Sequence, residues 1–527
     1  MTADVVIVGG GPNGLMLACE LSLAGVRPVV LESLSEPGEE PKANGLLGQV
    51  VPMVDRRGLY QRLGGDPGPP RPNSAYFMFA SLPLNLGMLK DSPLHGLPVP
   101  QRRIVQVLEE RATELDVDIR RGHRVVAIAQ DDEGVTVDID GPDGAYRLRA
   151  RYLAGADGAH SITRKQAAIG FPGVSYDRTT SRAAHATVPA EWVDPATGAL
   201  NVPGYGAVLP FLPHRTEQGG FSYAPFPGHP PLVSTMEWDQ PEPDGPMSLD
   251  ELRASVRRVL GADVPLDPPA GAGPHVLRRL SGGNTRVAER FRDRRIVLVG
   301  DAAHVYAAGG GPGLNLGLQD AVNLGWKLAA EIRGSAPPGL LDSYEPERRE
   351  AARRMVMNAQ AQSALIAPGS DVTALRELLA ELLGHRDTVQ HLADLVAGTD
   401  VRYDMGGNDG HPLVGRFAPD LDLRTPAGTV RLTELARSAR PLLLDLTEDS
   451  SAARAMAPWR DRVDIVTAQP QAPAPVATAL LLRPDCYVAW ASGSPRPDQA
   501  GLEALRAAAR RWFGIADAEH DSRPMER

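Results

Sequence analysis

Three short motifs carry residue types and spacings suited to holding a dinucleotide: Gly9-Gly10-Gly11-Pro12-Asn13-Gly14, Ala156-Asp157-Gly158 and Gly300-Asp301-Ala302-Ala303-His304. The first has GxGxxG spacing. Gly9 permits a tight turn, Gly11 lets the backbone approach a pyrophosphate, and Gly14 lets a helix pack closely on a strand. With Pro12 and Asn13 opening that helix, unpaired N–H groups and the positive end of the dipole would face the phosphates. Glu32 lies eighteen residues beyond Gly14, where a carboxylate accepts hydrogen bonds from ribose hydroxyls and repels a 2′-phosphate. Glycine spacing alone does not separate NAD from FAD.

The elements that must position these residues are legible around them. Val5 to Val8 is a short β-branched run, Leu15 to Leu23 has helical apolar periodicity, and Arg27 to Leu31 reads as a second strand. Tyr152 to Ala156 is strand-like and ends in Asp157-Gly158, after which Ser161 and the basic pair Arg164-Lys165 open a helix. Arg295 to Val299 has a buried-strand pattern and places Asp301 at the strand's C-terminal end, where open α/β sheets bind ligands. Its carboxylate can accept bonds from ribityl hydroxyls. A glycine-rich loop follows, from Ala307 through Gly310, Gly311, Pro312 and Gly313 to Leu314 and Asn315, and then a long helix runs past Trp326 and Lys327 to about Ile332. The backbone N–H groups of Leu314 and Asn315, at that helix's start, would favour negative charge developing near flavin N1 and the C2 carbonyl oxygen.

Taken together, these segments resemble the class A FAD-dependent monooxygenases of the para-hydroxybenzoate hydroxylase fold, and most nearly the aromatic polyketide hydroxylases and rifampicin monooxygenases of actinobacteria. The most specific stretch is GDAAHVYAAGGGPGLNLGLQDAVNLGWK, residues 300–327, with LLDSYEPERR at 340–349. The likeness covers nearly the whole chain. It implies FAD as cofactor, NADPH or NADH as a transient reductant and O2 as co-substrate. It also implies an α/β fold: a Rossmann-like FAD-binding domain, an inserted α+β substrate domain and a C-terminal thioredoxin-like domain. By the same resemblance Lys42 stands where the family has an arginine touching FAD, Gln101 and Arg103 align with a segment near the ribityl chain and adenylate, and Asp157 and Arg164 support FAD and the NAD(P)H pyrophosphate. Gly310, Gly311 and Pro312 sit at the reactive flavin face. The sequence departs from the family loop at Ala308, commonly proline, and at Pro312, often glutamine.

The activity the resemblance implies is hydroxylation of a polycyclic aromatic or polyketide intermediate of antibiotic biosynthesis through a flavin C4a-hydroperoxide. Baeyer–Villiger or antibiotic-inactivating oxygenation uses the same fold and cofactor. A flavin-bound binding or helper protein without turnover is the alternative from another class. The residues indicate no catalytic acid or base. His304, within GDAAH, reads as a helix-start or packing residue.

Composition sets the remaining bounds. The chain has 527 residues, net charge −10 and 43% apolar residues, with a pI near 5.7, so there is no basic footprint for nucleic acid. Without an apolar stretch of about 20 residues, no membrane span is expected. The lack of a signal-like N-terminus leads to an expected cytoplasmic location. Cys19 and Cys486, the two cysteines, are too few for a disulfide framework, and no metal site is expected. The expected partner is a small aromatic molecule, with the chain a monomer or homo-oligomer.

The organisation expected is an FAD-binding domain over 1–73, 102–175 and 278–400, a substrate-binding middle domain over 74–101 and 176–277, and a thioredoxin-like domain over 401–527. The middle segments are rich in aromatic residues, which suits a flat apolar guest. Phe77, Phe211, Phe221, Tyr223 and Trp238 are the pocket candidates, and alternation over Leu232 to Trp238 reads as a strand with one face toward a cavity. In the last segment the runs 440–444, 463–466 and 479–482 read as strands and Gln499 to Phe513 as a helix. The lone Cys486 excludes disulfide exchange there.

Overall fold

The computed structural model describes residues 2–38, 44–226, 228–241, 243–271, 273, 275–307, 312–407, 410–426, 428–471 and 477–516. The chain begins with β1 (Thr2–Val8), α1 (Pro12–Leu23) and β2 (Pro28–Glu32). After α2 (Gln101–Glu114) come β3 (Asp118–Arg121) and the long β4 (Gly144–Gly155). A second sheet follows: β5 (Thr179–His185), β6 (His214–Thr216), β7 (Gly219–Ala224), β8 (Leu232–Trp238), α3 (Leu249–Leu260) and β9 (Leu277–Ser281). The chain then returns through β10 (Ile296–Leu298) to the long helices α4 (Pro312–Ile332) and α5 (Tyr344–Ile366).

The first sheet carries the parallel order β10-β4-β1-β2-β3, the doubly wound pattern whose C-terminal edge binds ligands. Its register explains why three motifs distant in sequence meet. Val8 pairs with Leu31 on one side and Gly155 on the other, and Gly155 pairs with Leu298. The residues just beyond that rung, Gly9, Glu32, Ala156 and Val299, therefore emerge together at one edge. The strands hold because they are β-branched and dry: Val5, Val6, Ile7 and Val297 are fully buried. Each such side chain contributes about 1.5–3 kcal/mol. Helix α1 is buried along Gly14 to Leu21 between α2 and α4, so it is apolar on more than one face rather than amphipathic.

The middle sheet is antiparallel in the order β6-β7-β8-β5-β9, with α3 packed on one face around Val233, Val256 and Phe221. Strand β8 spans Leu232–Trp238, matching the alternation read from sequence. The hairpin Tyr76–Phe79/Leu82–Asn85 does not join this sheet; it shares a core with Leu365 of α5 and with Leu383, Val389 and Leu392.

The C-terminal unit comprises β11 (Leu442–Asp445), α6 (Ser451–Met456), β12 (Asp464–Thr467), β13 (Ala479–Leu482), β14 (Val488–Ser492) and α7 (Gln499–Phe513). Its sheet order β12-β11-β13-β14, with β11 parallel to β12 and antiparallel to β13, is the thioredoxin-like arrangement. Among the described residues no helix is long and apolar enough to cross a membrane.

Candidate functional site

The cradle at the edge of the first sheet is built from backbone. Gly9 has φ +107°, and a Cβ there would lie 2.4 Å from the Ala156 carbonyl oxygen. A Cβ on Gly14 would lie 2.0 Å from the Gly9 carbonyl oxygen, so the first helical turn sits directly on the loop. Gly11 differs: no atom lies within 4 Å of where its Cβ would be. It caps α1 without a side-chain hydrogen bond, and Pro12 opens the helix. That open space in front of a helix N-terminus is what a pyrophosphate requires. Glu32 is fixed beside it, its Oε2 accepting from Gly10 N at 2.7 Å and its Oε1 from Leu34 N at 2.8 Å.

Asn13 has a role that the GxGxxG rule does not contain. A Cβ on Gly300 would lie 2.0 Å from Asn13 Nδ2, and one on Gly317 would lie 2.4 Å from it. The Asn13 side chain is therefore wedged between the Gly300-Asp301 motif and α4. Gly300 has φ +62°, a left-handed conformation that suits glycine.

Asp157 is engaged by its own loop and helix. Its carboxylate accepts from Ser161 Oγ at 2.6 Å, Thr163 N at 2.9 Å and Thr163 Oγ1 at 3.0 Å. Ser161 is the N-cap of the following short helix, its Oγ accepting from Arg164 N, and Asp157 braces that cap and satisfies Thr163 N in the first turn. Arg164, buried, donates to the Ala302 and Ala159 carbonyls and stacks over Phe171 at 3.8 Å, tying the second motif to the third. Asp301 is half-buried, with Oδ1 3.3 Å from where a Gly313 Cβ would be, so it faces the first turn of α4.

Asn315 Oδ1 accepts from Leu47 N at 3.2 Å and joins α4 to the strand Gly45–Leu47. Leu314 packs against the main core. Gln101 opens α2 and is half-buried, and Arg103 donates to the Arg62 carbonyl at 3.0 Å. Lys42, Gly310 and Gly311 lie outside the described residues, as does the side chain of Pro312.

The middle sheet has two unlike faces. Val233, Thr235 and Glu237 of β8 point toward α3, where Glu237 is 1% exposed and paired with Arg182 and Arg258 at 2.8 and 2.7 Å. Burial would raise Glu237, but the bonds from Arg258 and Ser255 and the charges of Arg258 and Arg182 hold it below the usual carboxylate range. The other face carries Trp238, Met236 and Ser234 of β8, aligned with Thr179, Ser181 and Ala183 of β5 and with Gly220 and Ser222 of β7. Small residues lie in its centre, flanked by Met236 and Trp238, and Ser234, Met236 and Trp238 are half-buried rather than sealed in the core.

Phe221 and Tyr223, expected in the pocket, pair with Thr235 and Val233 and so belong to the α3 face; both are core, at 1% and 2% exposure. Alternation identified the strand but not which parity faces the cavity. Trp238 is on the open face. Phe77 lies in the separate hairpin core. Phe211 is 44% exposed, has φ +61° and meets Phe226 edge-on at 5.2 Å.

Two hydrogen bonds link the open face to Ala307. Gly282 N donates to the Thr179 carbonyl, and Ala307 N donates to Thr285 Oγ1 at 3.1 Å. The segment after β9 thus leans on Ala307, and the bond from Gly282 ties that segment to the Trp238–Thr179 end of the sheet.

Comparison with known proteins accords with this geometry. Residues 2–359 match the FAD binding domain family and residues 411–516 the C-terminal domain of aromatic-ring hydroxylases. The chain belongs to the class A flavin monooxygenases. It is 41% identical over 524 residues, covering 98% of this chain and 99% of the relative, to the 12-dehydrotetracycline 5-monooxygenase/anhydrotetracycline 6-monooxygenase of Streptomyces rimosus subsp. rimosus. The solved structure of OxyS anhydrotetracycline hydroxylase from Streptomyces rimosus superposes with a TM-score of 0.84 at 40% identity, covering 98% of this chain and 100% of that one. A dialkyldecalin synthase of Streptomyces rugosporus is 37% identical over 521 residues, covering 98% of this chain and 100% of the relative.

In this class A monooxygenase the residues present fit FAD: Gly9 and Gly14 close the turn, Gly11 leaves open space in front of α1, and Glu32 and Asp301 would offer carboxylates to the sugars. Sequence reasoning missed a buried network behind them. Asp320, fully buried, accepts from His304 Nε2 at 2.6 Å, Gly300 N at 3.1 Å and Arg348 Nε at 2.7 Å. Burial would raise Asp320, but His304 and Arg348 together hold its carboxyl below the usual range. The signal was available: Asp320, Asn323 and Lys327 are polar residues at i, i+3 and i+7 on α4. His304 is thus a paired core residue.

Proposed function

We propose that this protein hydroxylates a planar polycyclic aromatic molecule, consuming NAD(P)H and O2, with the guest held on the open face of the middle sheet. The observation that supports the reading is the junction at Thr179, Gly282, Thr285 and Ala307, which links the Trp238 end of that face to Ala307, just before Gly310-Gly311-Pro312 in the chain. Bound FAD supplies two-electron reduction by the nicotinamide and activation of O2. The chain's own residues orient and shield: the cradle fixes the dinucleotide, Ser181, Ser222 and Ser234 offer hydroxyls to the polar edge of the guest, and Met236 and Trp238 exclude water.

The likeness to a tetracycline-type oxygenase supports a fused-ring substrate of comparable breadth. The likeness to a relative named as a synthase favours a second reading, a flavin-bound protein that transforms its guest without oxygen transfer. Titration of the FAD-loaded protein with polycyclic phenols distinguishes ligand from non-ligand through the flavin absorbance, and the same compounds are then assayed for NAD(P)H consumption. The hydroxylase reading expects a compound that perturbs the flavin and accelerates NAD(P)H use at least tenfold. A compound that binds, is converted and leaves NAD(P)H untouched would move the assignment to the second reading.

A further inference from the structure

We infer that the C-terminal unit positions the flavin-binding segments through a stacked tyrosine pair, Tyr403 and Tyr487, and so sets the environment of the bound flavin. The two rings stack at 4.1 Å with an interplanar angle of 23°. Each hydroxyl reaches a different wall of the cofactor site. Tyr403 Oη accepts from Arg348 Nη1 at 2.7 Å. The same guanidinium donates to Asp320 Oδ1 at 2.7 Å and to the Leu316 carbonyl at 3.1 Å. Asp320 in turn accepts from Gly300 N and His304 Nε2. Three bonds therefore run from Tyr403 to the backbone of Gly300, the residue before Asp301.

Tyr487 Oη accepts from Gln49 Nε2 at 2.9 Å. Gln49 follows the strand Gly45–Leu47, whose Leu47 N donates to Asn315 Oδ1 in the first turn of α4. The pair thus clasps the Gly300 side and the Leu47–Asn315 side of one cradle.

The clasp is dry. Arg348, Tyr403, Asp320 and Gln49 are at most 4% exposed, a setting in which each bond is electrostatically strong and its loss is felt by its neighbours. A second cluster fixes the same unit nearby. Glu347 accepts from Lys327 at 2.7 Å and from Arg483 at 2.6 Å, and Arg483 also pairs with Asp485. This cluster reaches α4 at Lys327, about four turns from the helix start, and among the described residues it makes no hydrogen bond to Gly300 or Leu47. Arg483 also lies over both rings, at 5.2 Å from Tyr403 and 5.9 Å from Tyr487, so the cluster supports the stack from behind while the two hydroxyls alone reach the Gly300 and Leu47 sides.

The test uses full-length, FAD-loaded protein and three variants: Tyr403→Phe, Tyr487→Phe and Thr447→Val. Each tyrosine variant removes one hydroxyl and keeps the ring stack. Thr447→Val removes a bond to Asp445 in the same unit, Thr447 Oγ1 to Asp445 Oδ1 at 2.6 Å, away from the relay. The FAD dissociation constant and the midpoint potential of the bound flavin are measured for each, with thermal stability as the reference. We expect FAD to bind about fivefold more weakly in each tyrosine variant, the size of one hydrogen bond, with a displaced potential, while Thr447→Val lowers stability and leaves both quantities unchanged. A change in either quantity confined to a tyrosine variant supports the inference. Parent-like values in both tyrosine variants, or an equal change in Thr447→Val, overturn it.

Discussion

The FAD cradle and the open face of the middle sheet hold their ligands with different kinds of atom. The cradle works through backbone: two glycines that admit no Cβ, one that leaves space for phosphate, and an uncapped helix N-terminus. The open face works through side chains selected by strand parity, with Met236 and Trp238 on one side of β8 and Thr235 and Glu237 on the other. A backbone site announces itself by glycine spacing, whereas a side-chain site is specified only once the register is known.

The sharpest way to break that contrast is to exchange the roles of the two sheet faces. Tyr223→Ala empties a core position and is expected to cost about 4 kcal/mol in denaturant unfolding. Trp238→Ala, on the half-buried face, is expected to cost less than about 1 kcal/mol and to raise the substrate KM instead. Equal stability losses would contradict the facial assignment.

Gly14→Ala comes next. Its Cβ would be forced to within 2.0 Å of a carbonyl oxygen. We expect about 3 kcal/mol of strain and roughly 100-fold weaker FAD binding, read as the flavin content of purified protein.

An intermediate effect separates the regions by pH. Glu237 has a depressed folded pKa, so its contribution is fully present above its unfolded pKa of about 4.5 and is lost as pH falls further. Denaturant midpoints should therefore decline below pH 4.5. Glu237→Gln should lower stability by about 2 kcal/mol at pH 7 and flatten that acid limb. A parallel, equally steep limb in the variant would show that Glu237 is not its source. The smallest effect is expected at Glu32, already oriented by Gly10 and Leu34 N–H groups: Glu32→Gln should weaken FAD about fivefold without changing KM for the aromatic substrate.

Particular residues show how far the sequence carried. The three motifs, their strands and the helix Gln499–Phe513 were legible because β-branched runs, glycines and helical periodicity are local signals. Asn13 and Asp157 were read as ligand residues; in the fold Asn13 also fills a gap between Gly300 and Gly317, and Asp157 braces the Ser161 cap. Both are polar residues in motif positions whose partners lie elsewhere in the chain or one turn on. Phe221 and Tyr223 were read by composition, which does not encode facing. The Asp320–Arg348–Tyr403 relay joins residues 83 apart and is assembled only by packing.

Mass analysis after turnover in isotopically labelled O2 tests the central claim most directly. FAD-loaded protein is supplied with NAD(P)H and a polycyclic phenol that perturbs its flavin, and product oxygen is compared with nicotinamide consumed. The account predicts one labelled oxygen in the product for each NAD(P)H oxidised, with little free peroxide. A converted product without labelled oxygen, formed with FAD bound and no nicotinamide consumed, would contradict it.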